Sequence, residues 1–343
     1  MKKKSIIKGV IAAAAAAVLA LSLAACGGSS TSSSSSSGND SSSTTAASGA
    51  DLRFVTGGES GTYYAYGTVL ANYATNNGGV SVTALSSAGS QANVQSLQDA
   101  DAELAFCQSD VLSYAYNGTN LFEGAAYDGF SVVAALYNEQ IQIVTCDSSI
   151  KSVEDLKGKT VSVGAANSGV YFNAVDILNA YGLSVDSDIE AVYQNFGDSA
   201  DSLKDGKIDA AFITAGAPTT AISDLSATKQ AYLVSLDDEH VEKLLDSSPY
   251  YAKDVIAAGS YSGIDEDVTT VAVPAVIIAD DSVSEDDIYN FTKSLFDGAK
   301  EQPDAHAKYA ELSLDTASSI TSVPYHAGAA KYYAENNITV ATK

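Results

Sequence analysis

Five short segments of the chain combine glycine with serine, asparagine or glutamine where predicted strands give way to helices. Such segments can surround a bound anion with unpaired backbone N–H groups and small polar side chains. In open parallel α/β sheets, ligands sit beyond the carboxyl ends of strands, where these segments fall. Serine before a helix is also a common N-cap, but five such ends in two α/β units favour a ligand cleft. The segments are Gly57–Gly61, Ala88–Gln91, Gln108–Asp110, Asn167–Gly169 and Ala215–Pro218.

The glycine-rich segment Gly57–Gly61 is not a nucleotide-binding loop. No Lys-Ser or Lys-Thr pair follows it, and its spacing does not match a dinucleotide fingerprint. Arg53, the only arginine of the chain, lies four residues before it on a predicted strand, so we expect a structural role for this residue. An anionic ligand group would then be bound by backbone N–H groups and hydroxyls rather than by a guanidinium.

No arrangement of residues in the sequence is typical of an enzyme. His240, His306 and His326 are far apart, and none stands at a spacing that metal-binding histidines use. No serine or cysteine nucleophile sits in a recognisable elbow. We therefore predict a protein without catalytic activity, cofactor or metal.

The pattern of strands and helices predicts a parallel α/β sheet. Two such units, followed by a late return strand, predict a bilobed protein with a cleft between its lobes. Strands are predicted over residues 52–56, 80–86, 102–107, 160–165, 191–195, 209–215 and 269–279, with apolar runs over 131–137 and 140–146. Helices are predicted over residues 62–76, 91–99, 111–116, 170–181, 199–205, 284–299, 303–312 and 325–336.

The N-terminus has the layout of a secretory signal peptide. Four lysines precede an apolar run from Ile11 to Leu23, and this run is too short to span a bilayer comfortably. The sequence Leu23-Ala24-Ala25-Cys26 resembles the bacterial lipobox, in which the cysteine is acylated and begins the mature chain. The alternative is an ordinary signal peptide with a chance cysteine. We expect an extracytoplasmic protein that is anchored to the cell membrane by lipid on Cys26.

Composition separates a tether from a folded, acidic body. Residues 26–50 are rich in serine and lack large apolar side chains, so we predict a flexible tether. Without residues 1–25, which hold four of the 18 basic residues, 14 basic side chains face 42 acidic ones, a net charge of −28. Such a charge argues against nucleic-acid binding. Cys107 and Cys146 lie in apolar runs, which favours two buried thiols over a disulfide.

The order of motifs over residues 51–340 resembles one family. These motifs are FVTGGESGTYYAYG, SSAGSQANVQSL, AELAFCQSD, IKSVEDLKGKTVSVGAANSG, LKDGKIDAAFITAGAPTTAI, TVAVPAVII and PYHAGAAKYYAENNI. Together they resemble the TAXI group of TRAP-transporter solute-binding proteins. The resemblance implies a two-lobed, type II-like periplasmic-binding-protein fold that closes over a small organic acid or amino acid, glutamate-like in character. It also implies delivery of that solute to a TRAP-type membrane permease driven by an ion gradient.

The resemblance also implies which residues bind the solute. In three positions the chain departs from the family pattern: it has Ala217 where a histidine is usual, Tyr325-His326-Ala327-Gly328 where His-Pro-Gly is usual, and Ala166-Asn167-Ser168-Gly169 where Gly-Ser-Gly often follows a proline or glycine. The first change could alter the polarity of the cleft. The implied ligand-binding residues are Gly57, Gly58, Ser60, Gly61, Tyr63, Ser90, Asn93, Gln108, Ser168, Gly169, Tyr171, Gly216 and Pro218.

We expect the chain to divide into a signal peptide (1–25), a lipidated tether (26–50) and two lobes. The first lobe is predicted to comprise residues 51–145 and 266–343, and the second residues 146–265. Hinges are expected near Cys146–Ile150 and Ile264–Thr269. Two other functions remain as alternatives: a lipid-anchored sensor that signals to a partner, and an extracellular enzyme.

Overall fold

A computed structural model describes Gly49 and residues 51–343 of the protein. The predicted signal peptide, Cys26 and nearly all of the tether lie outside these residues. Within the described part, no helix has the length and apolar character that crossing a membrane requires.

The described residues form one mixed α/β arrangement. Its strands are β1 (Asp51–Val55), β2 (Ser81–Leu85), β3 (Leu104–Gln108), β4 (Phe130–Thr145), β5 (Thr160–Ser162), β6 (Glu190–Val192), β7 (Ala210–Ala215), β8 (Tyr232–Leu233), β9 (Ala252–Ile256) and β10 (Val268–Asp280). Its helices are α1 (Thr62–Tyr73), α2 (Ser90–Gln98), α3 (Ser109–Asn117), α4 (Val170–Ala180), α5 (Phe196–Asp205), α6 (Thr220–Thr228), α7 (Asp238–Ser247), α8 (Glu285–Glu301), α9 (Leu314–Ala317) and α10 (Ala327–Glu335).

The ten strands form a single sheet in which β2-β1-β3-β10-β4-β7-β5-β6 are neighbours, with β8 on β4 and β9 on β10. Strand β1 pairs in parallel with β2 and β3, and β5 pairs in parallel with β6 and β7. The two long central strands, β4 and β10, run antiparallel to each other and to the strands on either side. The prediction of a parallel sheet is therefore correct for the two outer parts and wrong for the centre.

Two hydrophobic cores lie at opposite ends of the long strands. The first surrounds residues such as Phe54, Phe106 and Phe291 and includes the C-terminal helices. The second surrounds Ile177 and Phe212, with a smaller cluster beneath α5 and α6. We call the elements around the first core lobe 1 and those around the second core lobe 2.

Strand β4 passes from one core to the other without interruption. Residues up to Tyr137 pack in the first core, and residues from Ile141 pack in the second. The polar residues between them remain in the ladder, since Asn138 pairs with Pro274 and Glu139 with Val273 of β10. Proline lacks a ladder N–H, and the register of β10 shifts just beyond it. The predicted lobe boundaries stay a prediction. In the structure, the passage from one core to the other lies within β4 and β10, several residues from the expected hinges.

The two cysteines of the described region are unpaired. Cys107 is fully buried in β3, and Cys146 is half-buried just beyond β4. The sequence-based preference for thiols over a disulfide is therefore confirmed, although only one of the two is fully buried.

Candidate functional site

A small cavity lies where loops of both lobes meet above the centre of the sheet. Its volume is about 50 Å³, enough for a few water molecules or one small solute. Eight of the thirteen sequence-predicted residues line it. These are Gly57, Gly58, Gly61, Tyr63, Ser90, Gln108, Ser168 and Gly169.

Five helices begin at this cavity, and the N-cap residues of four of them make no side-chain cap, although Asp110 within α3 accepts from the Val111 N–H. The N-cap residues are Gly61 for α1, Gly89 for α2, Gln108 for α3 and Gly169 for α4. The first backbone N–H groups of a helix lack partners within that helix, and the helix dipole makes its N-terminus partially positive. The helix ends therefore contribute partial positive charge to the cavity, although no lysine or arginine lines it.

Most helices that begin elsewhere contrast with these four, although α6 also lacks a side-chain cap. The first turns of α7, α8 and α10 are capped by the side chains of Asp237, Ser284 and His326. Among helices at the cavity, only α5 has such a cap, from Asn195. Because capping stabilises a helix by about 1 kcal/mol, its lack at four converging ends is consistent with a ligand that supplies the acceptors.

Hydrogen bonds across the cleft hold the lobes closed around the cavity. The Ala92 N–H donates to the carbonyl of Asn167 at 3.0 Å, and the Thr62 hydroxyl donates to the carbonyl of Gly216 at 2.9 Å. Asn167 has a left-handed backbone (φ 64°), which asparagine tolerates better than most residues. The Phe172 ring of α4 also packs on the Tyr114 ring of α3, with ring centroids 5.5 Å apart.

A buried polar cluster lies beside the cavity and is centred on Asn173 of α4. Its side-chain oxygen accepts from Gln108 Nε2 at 2.7 Å and from the Thr214 hydroxyl at 2.9 Å. Its nitrogen donates to Asp110 Oδ2 and to the Tyr251 hydroxyl, both at 3.0 Å. Gln108 and Asp110 belong to lobe 1 and the other three residues to lobe 2. This cluster therefore joins the lobes in the closed state.

Burial changes the ionisation of the cluster. Desolvation raises the pKa of Asp110 to about 7, although the hydrogen bonds from the Val111 N–H and from Asn173 favour the charged form. The nearby Asp176 carboxylate raises it further. At neutral pH, Asp110 is thus near its midpoint of titration.

Glu139 of β4 forms the floor of the cavity. Its side chain is buried, and Oε2 has no hydrogen-bond partner. Desolvation raises the pKa of Glu139 to about 8, against the opposing effects of the Tyr63 and Tyr137 hydroxyls and of the Lys308 ammonium. Both tyrosine hydroxyls are buried and lack partners of hydrogen-bond geometry. The floor of the cavity therefore has a carboxyl oxygen and tyrosine hydroxyls without hydrogen-bond partners.

Five predicted site residues lie outside the lining. The Asn93 side chain donates to the carbonyls of Thr56 and Phe106, both at 2.7 Å, and so ties the ends of β1 and β3 together. The carbonyl of Ser60 accepts from the Ala221 N–H across the cleft. The Tyr171 ring packs beside Tyr193, facing a different recess.

Gly216 and Pro218 lie just behind the cavity. A side chain at Gly216 would overlap Lys308 and Tyr137, so glycine is required by the close packing there. Pro218 follows a cis peptide bond with Ala217. Gly216 accepts the Thr62 hydrogen bond across the cleft, whereas Pro218 is exposed, and neither residue lines the cavity.

Sequence reasoning missed several lining residues. Thr62, Phe196 and Thr214 lie at helix starts and strand ends that were predicted, so only their side-chain directions were unknown. Glu139 was hidden because Asn138-Glu139-Gln140 reads as a polar turn between two apolar runs. The sequence did contain one signal for Glu139, which is an acidic residue between two apolar runs that resemble strands.

Comparison with known proteins identifies the family of this chain. The sequence matches the NMT1-like family over residues 54–336. The chain belongs to the NMT1-like family. The matched region of this NMT1-like protein includes every residue of the cavity lining and both lobes.

Solved structures share the fold of this NMT1-like protein at low sequence identity. A protein from Bordetella bronchiseptica RB50 is 15% identical, with a TM-score of 0.50 over 83% of this chain and 88% of that one. The GluR0 ligand-binding core from Nostoc punctiforme in complex with L-glutamate is 14% identical, with a TM-score of 0.46 over 75% and 97%. The alkanesulfonate-binding protein SsuA from Xanthomonas axonopodis pv. citri, bound to MOPS, is 14% identical, with a TM-score of 0.46 over 83% of each chain. The predicted two-lobed α/β fold is confirmed by the mixed sheet and the two hydrophobic cores.

Proposed function

We propose that this NMT1-like protein is an extracytoplasmic solute-binding receptor for a small organic acid or amino acid. One observation carries the proposal. Four uncapped helix N-termini from two lobes converge on a single closed cavity, which is an arrangement suited to an anionic group. Helices α1, α2 and α3 begin at one edge of the sheet because they follow the parallel strands β1, β2 and β3, and closure of the lobes brings the start of α4 to them.

Buried polar atoms at the cavity support the same function. The Ser168 hydroxyl is buried, lines the cavity and has no hydrogen-bond partner. A buried polar group without a partner is destabilising by about 1–3 kcal/mol, so such groups usually mark a ligand or ordered water. Ser90, on the opposite lobe, also faces the cavity. A carboxylate between these hydroxyls and the helix ends would satisfy donors from both lobes at once.

The charge and the volume of the cavity limit the solute. The lining has no basic side chain, so a polyanion such as a nucleotide would lack counter-charges. About 50 Å³ in the closed state accommodates a small molecule rather than a peptide. Closure of the lobes over the solute excludes water, and the cross-cleft hydrogen bonds then stabilise the loaded form.

We further propose that the receptor belongs to the TAXI group and serves a TRAP-type permease. The motif order over residues 51–340 supports this assignment. Lipid on Cys26 would hold the receptor at the membrane, with the serine-rich tether as a spacer. If so, Cys26→Ser releases the protein from the membrane fraction or leaves the precursor unprocessed. Unchanged membrane association of that variant would contradict the lipid anchor.

Thermal unfolding tests the receptor function. A solute that binds only the folded protein stabilises it by mass action and so raises Tm. At a solute concentration of 100 times Kd, the added free energy of unfolding is about 2.7 kcal/mol. We expect at least one member of a panel of amino acids and of 2-hydroxy, 2-oxo and dicarboxylic acids to raise Tm. A panel without any effect on Tm, and without binding in calorimetry, would contradict the proposed function.

A further inference from the structure

Glu139 is an unusual residue for a cavity expected to bind an acid. A carboxyl group on the floor would repel a ligand carboxylate if both were charged. Yet Glu139 lies in the ladder of β4 and reaches the cavity at the point where the strand changes core. A residue that only filled this space could be apolar, as most residues of β4 are.

The cavity is therefore polar in two different ways. The starts of α1, α2 and α4 around Gly61, Gly89 and Gly169 present N–H donors and partial positive charge. Glu139 and the Tyr63 hydroxyl present acceptors without partners, and the Tyr137 hydroxyl lies beside the same carboxyl. A ligand that fits both features has an acidic group and a separate hydrogen-bond donor.

We propose that Glu139 binds the protonated amino group of the solute, so that the solute is a small amino acid rather than a hydroxy or oxo acid. This inference rests on the proposed receptor function and deepens it. An ammonium group has three donors and no acceptor, and it can engage Glu139 together with the Tyr63 hydroxyl. A charge-assisted bond of this kind is about twice as strong as a neutral one. An oxo acid brings only an acceptor to this position, so it can pair only with the protonated form of Glu139 and would release no proton on binding.

A structural role for Glu139 fits less well. In that role the carboxyl would be hydrogen-bonded to the tyrosine hydroxyls, but neither hydroxyl makes a bond of acceptable geometry. Lys308, the nearest cation, is already paired with Glu311 at 2.5 Å and lies over the Tyr137 ring. The Oε2 atom of Glu139 therefore has no hydrogen-bond partner within the described residues.

The protonation state of Glu139 supplies a measurable signature. Its pKa of about 8 means that the empty protein holds a proton there at pH 7. An ammonium partner favours the carboxylate, so binding displaces this proton to the buffer. The titratable or charged groups that face Glu139 are Tyr63, Tyr137, Cys107, Asp110 and Lys308. Burial raises the pKa of both tyrosines and of Cys107, so these three stay protonated at pH 7.

Calorimetric titration of the full-length protein in detergent tests the inference. The probes are the amino acids that raise Tm, each with its 2-hydroxy and 2-oxo analogues, at pH 7 in phosphate and in Tris. These buffers differ in ionisation enthalpy, so the difference in heat reports protons released. We expect about one proton released per amino acid bound and weaker binding of both analogues.

The variant Glu139→Gln should weaken amino-acid binding roughly 10- to 100-fold and abolish proton release. Glutamine mimics the protonated acid and lacks the ionisation that favours the unfolded chain, so Tm of the empty variant at pH 7 should be at least that of the wild type and show that it folds. Glu242→Gln, on the exposed face of α7, is the matched control and should change neither quantity. Binding without proton release, or binding unaffected by Glu139→Gln, would overturn the inference.

The same titrations separate the inference from the function on which it rests. If only hydroxy or oxo acids bind, the receptor function stands and the amino-group assignment is wrong. If no acid of any class binds, the receptor function itself fails, and the inference fails with it.

Discussion

Gln108 Nε2 of lobe 1 donates a 2.7 Å hydrogen bond to Asn173 Oδ1 of lobe 2, and both side chains are fully buried. This bond joins the cavity lining to the polar cluster behind it, since Gln108 belongs to both. The main chain of Gln108 is fixed as well, because its N–H donates to the Ser90 hydroxyl at 3.1 Å. Closure of the lobes and the shape of the cavity are therefore linked through one side chain.

The first prediction concerns this link. Asn173→Ala removes partners from Gln108, Asp110, Thr214 and Tyr251 at once, and the closed state should lose on the order of 1–3 kcal/mol. Small-angle scattering should then show a larger radius of gyration, and solute binding should weaken. Asn179→Ala, on the exposed side of the same helix, is the control. Identical scattering from Asn173→Ala and wild type would show that the cluster does not hold the lobes together.

The second prediction concerns the close approach of the lobes at Gly169. A Cβ atom at this position would overlap Gln108 Oε1, and Gln108 cannot easily move because Asn173 holds it. The backbone at Gly169 is ordinary (φ −70°), so any effect of Gly169→Ala is steric. We expect weaker solute binding and a more open average shape. Ala166→Val adds more bulk at an exposed position of the same loop, so it should change neither solute affinity in calorimetry nor the radius of gyration in scattering. Equal effects of the two variants would refute the steric account.

The third prediction is a loss of stability as pH rises from about 6.5 to 8. Burial raises the pKa of Asp110 to about 7 and that of Glu139 to about 8. In the unfolded chain both groups titrate near pH 4, so in this window the folded protein holds protons that the unfolded chain has lost. The free energy of unfolding should therefore fall by up to about 1.4 kcal/mol per pH unit for each proton held.

Urea unfolding of the solute-free protein at several pH values measures this slope. Asp110→Asn should flatten it below pH 7, and Glu139→Gln should flatten it between pH 7 and 8. Burial lowers the pKa of His306 and His326, which opposes the trend below about pH 6.5, so the window begins there. Stability that stays constant or increases across the window would contradict the burial of protonated carboxyls.

The fourth prediction separates Arg53 from the site. Its guanidinium binds the Glu103 carboxylate and the Ala100 carbonyl, outside the cavity lining. Arg53→Gln should leave solute affinity unchanged. Ser90→Ala removes a lining hydroxyl and the acceptor of the Gln108 N–H, and should weaken binding about tenfold. Calorimetry that shows the reverse order would mean that the ligand contacts are assigned to the wrong residues.

Much of the fold could be predicted because local patterns agreed with the tertiary structure. The strand LAFCQ of β3 is buried throughout, as an apolar run between two strands should be. Helices α6 and α7 and strands β8 and β9 were not assigned, and their sequences are short or mixed in polarity. The joining of two apolar runs into β4 depends on pairing with β10, a contact between residues far apart in sequence that no local pattern contains.

The site was predictable where backbone geometry determines it and not where side-chain direction does. Glycines at Gly57, Gly61 and Gly169 mark loops after strands, and all three line the cavity. Glu139 could not be placed, because its exposure to the cleft depends on how the two lobes meet. Tyr171 lies on α4 next to the cavity, yet its ring packs beside Tyr193 and not in the cavity lining. Packing within lobe 2 determines this orientation.

The measurement that tests the account most directly is a crystal structure of the protein with a solute that raises its Tm. The account predicts the solute between the starts of α1, α2 and α4, its carboxylate within hydrogen-bond distance of the Gly169 region and the Ser90 hydroxyl. It predicts the amino group of the solute about 3 Å from a Glu139 oxygen. A solute bound outside this cavity, or bound inside it without contact to any of the helix N-termini, would contradict the account.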